Sequence, residues 1–306
     1  QASLARFLGV PDGLAGVNAA PLLASVAPAA PPTTDTATAH PLLQEFINCI
    51  MVVHDEVENT MEALICPYPP TPQNSLFFYI NDLIKVLKDG ETHFVLQTRS
   101  VIVGPQLTRV SLDINKSHKA VRVGFHPGGL YRLLGISMNE MIDGSYDATD
   151  VFGNEMQELN EKLQEADGFD RIKDVIENFL LQKVKTLKRN MPFDLAMLEL
   201  MRLNGNLSIE KVASLSCLSL RQFERVSKER IGIPPKLFAR LVRFSKAYRL
   251  RENFPLLSWT NIAYECGYFD QMHLIRDFKQ FAGVAPGIIE KELDNAPIRL
   301  QAELRL

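Results

Sequence analysis

The sequence predicts two units. An α+β front domain, a small antiparallel β barrel or sandwich followed by helices, precedes an all-α back domain of two helix-turn-helix units joined by a linker helix. Three observations lead there. Short β-branched and aromatic runs bounded by Pro, Gly, Asn and Asp crowd residues 75–126. From Asn154 onward, apolar positions recur at helical spacing. One pattern also occurs twice, about fifty residues apart, at Ser208–Pro235 and Ser258–Pro286. A length of 306 residues agrees with two cores, since one core rarely grows beyond roughly 250–300 residues.

Residues 1–40 are rich in Ala, Pro and Thr, with Arg6 the sole basic side chain. They read as a flexible leader without a secretory n-region. Strands follow at Ser75–Ile80, His93–Leu96 and Ser100–Val103. Val121, Val123 and Phe125 alternate with Arg122, Gly124 and His126, which predicts a strand with one buried face. Pro127-Gly128-Gly129 ends the sheet and starts a helix at Leu130–Leu134. The Asn154–Ala166 helix aligns Met156, Leu159 and Leu163; the Phe169–Leu187 helix aligns Ile172, Ile176, Leu180 and Val184. These faces fit an intersubunit bundle or packing on their own sheet. The basic stretch from Lys183 to Pro192 reads as the connector, dividing the chain into residues 41–190 and 191–306.

Charge separates the halves. Residues 191–306 hold 17 Lys+Arg and 13 Asp+Glu, whereas residues 1–190 hold 16 and 23. Between Arg221 and Arg251 the tally is 10 basic to 2 acidic, the footprint expected of phosphate binding. No apolar run approaches the roughly 20 residues that span a bilayer. Cys49, Cys66, Cys217 and Cys266 are scattered and read as reduced thiols of a cytoplasmic protein, with neither metal nor cofactor expected. His93, His118 and His126 lack ligand spacing. Neither G-x-S-x-G, a phosphate-cradling Gly loop nor H-E-x-x-H occurs, so no enzyme is expected.

In each repeat a short amphipathic helix, a small-residue turn and a second helix follow one another. Val212-Ala213 matches Ile262-Ala263, Phe223 matches Leu274 and Arg225 matches Arg276, once one extra residue is allowed in the second turn. In such units the second helix lies in a DNA major groove. Ser208, Ser219 and Asp270 are the candidate N-caps. Phe223 and Val226 point inward, leaving Arg221, Glu224, Arg225 and Lys228 outside, where Arg can grip guanine and Glu can accept from cytosine. Glu224 fits equally an i,i+4 pair with Lys228. In the second unit Gln271, Met272, His273 and Arg276 are outward; His273 fits a hydrogen-bonded surface imidazole as well as a base contact. Between the units, Pro234–Arg251 predicts a rod of about 27 Å, near the roughly 34 Å between successive grooves on one face of B-DNA. Leu237, Leu241, Phe244 and Tyr248 line one side of it; Lys236, Arg240, Arg243 and Lys246 lie elsewhere.

The tract I-A-Y-E-C-G-Y-F-D-Q-M-H-L-I-R-D-F-K-Q-F-A-G-V-A-P, with its upstream partner, resembles the signature of AraC/XylS-type transcriptional regulators over roughly residues 193–293. The resemblance implies base reading by Arg221, Glu224, Arg225, Gln271, Met272 and Arg276. Backbone contacts are expected from Lys228, Lys236, Arg240, Arg243, Lys246 and Lys279. The chain departs from the usual pattern at Ser227, where an aromatic packs, and at Met272, where a small residue is common. Val103–Gln106 and Val123–Gly144 resemble the front domain of one AraC-type subgroup whose role is poorly defined.

Family resemblance further implies an effector-responsive activator, with double-stranded DNA, RNA polymerase and a second copy of the chain as partners. Phe77, Tyr79, Phe94 and His126 are candidate linings of an effector pocket, although such aromatics are also ordinary core. The competing readings are control by a protein partner and a DNA-targeted repair enzyme, which would need clustered cysteines.

Overall fold

A computed structural model describes residues 33–56, 64–114, 117–296, 300, 301 and 304. Among the described residues ten strands form two antiparallel sheets. In chain order they are β1 (Thr33–Ala37), β2 (Ile47–Glu56), β3 (Leu64–Tyr68), β4 (Ser75–Tyr79) and β5 (Lys85–Lys88). Then come β6 (Val95–Leu96), β7 (Ser100–Val103), β8 (Val110–Ile114), β9 (Ser117–Phe125) and β10 (Ser145–Asp147). The six-stranded sheet runs β1-β2-β9-β4-β7-β10 and the four-stranded sheet β3-β8-β5-β6, so the front domain is a sandwich and not a closed barrel. β1 falls inside the stretch expected to be a flexible leader: Thr34 to Ala37 pair with Val53 to Ile50. The rest of that leader, residues 1–32, lies outside the described residues.

Helices α1 (Gly129–Leu134), α2 (Ala148–Phe152), α3 (Asn154–Glu165) and α4 (Gly168–Lys183) complete the front domain. Met156, Leu159, Leu163, Ile172, Ile176 and Leu180 are buried against Leu76, Phe78, Val121, Val123 and Phe125 of the large sheet. The apolar faces of α3 and α4 are thus spent on their own sheet, not on an intersubunit bundle. Each such side chain contributes roughly 1.5–3 kcal/mol by leaving water.

The sheet's other face is buried as well. Tyr79, Val101 and Ala120 pack with Cys66, Ile84 and Ile114 between the two sheets. The expectation that β9 has a single buried face is therefore corrected: His118 and Arg122, on the side opposite Val121 and Val123, are both buried. Alternation reveals two faces, not what covers each.

Burial has a pH consequence. It pulls His118 down to about 4; burial, then the Arg202 charge, takes His126 to about 4. The unfolded chain binds these protons below its ordinary value of 6.5, the folded chain only near 4. Stability from this source is complete above pH 6.5 and lost as pH falls from there to 4. The urea midpoint is expected to hold steady from pH 8 to 7 and then fall. His118→Gln should fall less steeply, and an equal slope would contradict the assignment.

The back domain contains α5 (Pro192–Arg202), α6 (Ile209–Leu215), α7 (Leu220–Arg230), α8 (Pro235–Asn253), α9 (Trp259–Glu265), α10 (Gln271–Phe281) and α11 (Pro286–Asn295). Among the described residues no helix is long and apolar enough to cross a membrane. α8 is the expected linker, 19 residues without a break. α5 had no counterpart in the repeat, yet the Phe193 ring from it packs 5.1 Å from that of Phe223 of α7, tilted by 54°.

The two domains are stitched together where the front-domain motifs lie. Connector residue Lys188 is bonded twice to Arg132: its amide donates to the Arg132 carbonyl at 2.9 Å, and the Arg132 side chain donates from Nε to its carbonyl at 2.9 Å. Arg230, at the end of α7, donates from Nε to Asp194 Oδ1 at 2.8 Å and from Nη2 to Oδ2 at 2.5 Å. Its guanidinium lies 4.6 Å from the Tyr131 ring centre. Gly232 has φ +94°, and a Cβ there would stand 2.5 Å from Pro105, so only glycine lets the end of α7 approach the Val103–Gln106 motif.

Candidate nucleic-acid interface

The second helix of each unit is capped as the sequence predicts. Ser208 Oγ accepts from the Lys211 amide at 3.3 Å and starts α6. Ser219 and Gln222 form a reciprocal capping box at the start of α7. Asp270 Oδ1 accepts from the His273 amide at 2.8 Å at the start of α10. The turns match too: Cys217 (φ 56°) and Gly267 (φ 73°) occupy the same left-handed position in the two copies. At the second a Cβ would stand 2.6 Å from the Asn206 side-chain oxygen, in a backbone conformation that favours glycine.

Phe223 and Val226 of α7 and Leu274, Phe278 and Phe281 of α10 are buried, fixing the rotation of each helix. Arg221, Glu224, Arg225 and Lys228 consequently stand exposed on α7, and Gln271, Met272, Arg276 and Lys279 on α10. Arg225 forms an exposed i,i+4 pair with Glu229 at 3.6 Å. Glu229 Oε1 in turn accepts from the Tyr131 hydroxyl of the front domain at 2.7 Å. His273 Nδ1 lies 2.8 Å from Asp270 Oδ1, which makes it the hydrogen-bonded surface imidazole.

Ser227 replaces the aromatic expected in the first unit without leaving a loose end. It is buried, and its hydroxyl donates to the Ile233 carbonyl at 2.7 Å, tying α7 to the turn that follows.

The cations of α8 brace both units. Arg240 donates to Asp277 of α10 at 3.0 and 2.6 Å and to Gln280 at 2.6 Å. Arg243 donates to the Gly205 carbonyl at 2.7 Å, just ahead of the first unit. Lys246 reaches the Glu265 carbonyl at the end of α9 at 2.8 Å. Three side chains expected on the DNA backbone therefore already donate inside the module, while Lys236 is exposed.

Two recesses open beside α8. One is bordered by Glu224, Lys236 and Arg243, the other by Lys236, Arg243, Phe269 and His273. Because Lys236 and Arg243 border both, α7 and α10 sit beside the same exposed stripe of α8.

Sequence reasoning missed Phe269. It is the extra residue of the second turn and is 93% exposed, its ring 6.0 Å from that of His273. The insertion itself was the available signal.

The expected pocket residues separate. Phe77 and Tyr79 line a cavity between the two sheets. Phe94 is not among its lining residues. His126 borders a different, smaller recess with Ile231, Phe238 and Leu241, at the junction of the domains. Phe94 lies just ahead of the edge strand β6, and His126 just beyond β9 where the chain has left the sandwich.

Comparison with known proteins gives two family matches. A helix-turn-helix domain matches residues 212–291, which take in α7, α8 and α10. A domain of unknown function (DUF6597) matches residues 35–147. No curated protein matches the sequence. Among solved structures, ToxT from Vibrio cholerae O395 aligns at 15% identity over 82% of this chain and 98% of its own, with a TM-score of 0.43. Unsaturated fatty acid-bound ToxT from Vibrio cholerae strain SCE256 gives 15%, 82%, 98% and 0.44. The AraC-like transcriptional activator CuxR gives 11%, 68%, 84% and 0.24. At these scores the superpositions carry no argument about function. The doubled helix-turn-helix, the continuous linker helix and the signature tract, behind a DUF6597 domain, support a DNA-binding transcriptional regulator of the AraC/XylS type.

Proposed function

We propose that the protein is a sequence-specific, effector-responsive regulator that lays α7 and α10 into successive major grooves on one face of a duplex. The observation that supports this best is the shared border of Lys236 and Arg243, which sets both reading helices on one side of a braced rod. Arg221, Glu224 and Arg225 read the first block of sequence; Gln271, Met272 and Arg276 read the second. Lys228, Lys236 and Lys279 supply the phosphate contacts, and Arg240, Arg243 and Lys246 hold the two heads in register. The sandwich cavity receives the effector. Selection of bound duplexes from a randomised pool tests the reading: an enriched sequence is expected, and a pool that stays random would overturn it.

A further inference from the structure

We propose that the cavity between the sheets binds an apolar monocarboxylate, with Arg122 holding the carboxylate and the sandwich walls holding the hydrocarbon. This rests on the effector reading above and gives it a ligand class.

Arg122 lies on β9, opposite Met51 of β2 and Phe77 of β4, and lines the cavity at 2% exposure. Its Nη2 donates to Gln73 Oε1 at 2.9 Å. Its Nε and Nη1 are buried with no hydrogen-bond partner. Buried guanidinium nitrogens are costly when unpaired, and the Tyr68 hydroxyl beside the guanidinium offers it only a neutral oxygen, so the site favours an anionic acceptor. Gly124, the next residue on the same face, leaves room: a Cβ there would stand 2.9 Å from Nη1.

The surrounding charges favour a single negative one. Arg249 on α8 feels both Glu252, which favours its charge, and Arg122, which opposes it. Two guanidiniums, Arg122 and Arg249, thus act on one another in this neighbourhood, which favours an anion. His118, on the same wall, is neutral at physiological pH because burial dominates over Asp82. Toward β10, Lys88 donates to the Asp143 carbonyl at 3.0 Å, and the Asp143 carboxylate accepts from the Leu107 and Thr108 amides at 2.7 and 3.1 Å. That end is balanced and satisfied.

Between the two ends the walls are apolar: Phe77, Tyr79, Val86, Val101 and Leu112. β9 and β10 are three strand spacings apart, about 14 Å. A carboxylate on Arg122 therefore leaves room for a hydrocarbon body extending toward β10.

Calorimetry on the full chain with sodium octanoate and with octan-1-ol tests this. Wild type is expected to bind octanoate roughly tenfold or more tightly than the alcohol, the worth of one charge-assisted pair. Arg122→Met should bind both alike, its retained octanol binding reporting an intact cavity. Leu112→Trp, which keeps Arg122 and fills the space, should abolish octanoate binding. The proposal is overturned if wild type binds neither compound or shows no preference, if Arg122→Met keeps the preference, or if Leu112→Trp still binds octanoate. Selection of DNA is read without any acid present, so its failure and the failure of octanoate binding are separate results. Octanoate binding with unchanged DNA affinity would support the site and count against the effector reading.

Discussion

Asp194→Ala is expected to destabilise the protein by about 3–5 kcal/mol, the cost of leaving a buried charge without its partner. Arg230 and Asp194 are both nearly inaccessible, and their two-point contact joins the end of α7 to the start of α5. Asp194 Oδ2 also accepts from the Met191 amide at 2.8 Å, so the same substitution uncaps α5. Without it Arg230 keeps the Arg189 carbonyl at 3.3 Å and the Tyr131 ring. Urea unfolding measures the loss. The double variant Asp194→Ala, Arg230→Met should recover most of it, because removing both charges removes the unpaired guanidinium. A double variant no more stable than Asp194→Ala would show that the cost lies in the lost cap.

Arg225→Ala and Arg276→Ala are each expected to weaken binding to the selected duplex by roughly 1–3 kcal/mol and to relax preference at one base pair. Their stability should hardly change. Arg276 is exposed, and the Arg225–Glu229 pair is an exposed one at 3.6 Å, a class worth roughly 0–1 kcal/mol. Titration of wild type and variants against cognate and scrambled duplexes separates base reading from charge. Equal losses on both would make these side chains phosphate contacts.

Much of the DNA-binding module was legible because its determinants are local. Caps, the left-handed turn residues and the apolar stripes of α7 and α10 all sit within a few residues of what they fix. α8 was legible from Pro235 and from continuous helical spacing up to Asn253. What stayed hidden depends on distant partners. Arg230 reads as one more surface cation until Asp194, 36 residues away, is placed beside it. Arg122 reads as the solvated face of an alternating strand, because nothing nearby announces the second sheet. β1 hides in a stretch of Thr and Ala whose strand character comes from pairing with β2 and not from its own side chains. Arg240 and Arg243 were recognised as part of a basic stripe, yet their acceptors, the Asp277 carboxylate and the Gly205 carbonyl, lie 37 and 38 residues away along the chain.

The spacing of preferred bases within the duplexes recovered by selection tests the arrangement most directly. Reading helices held on one side of an unbroken rod predict two blocks of sequence about 10 base pairs apart, with Arg225→Ala blurring only one block and Arg276→Ala only the other. One block alone, or two separated by half a helical turn, would contradict it.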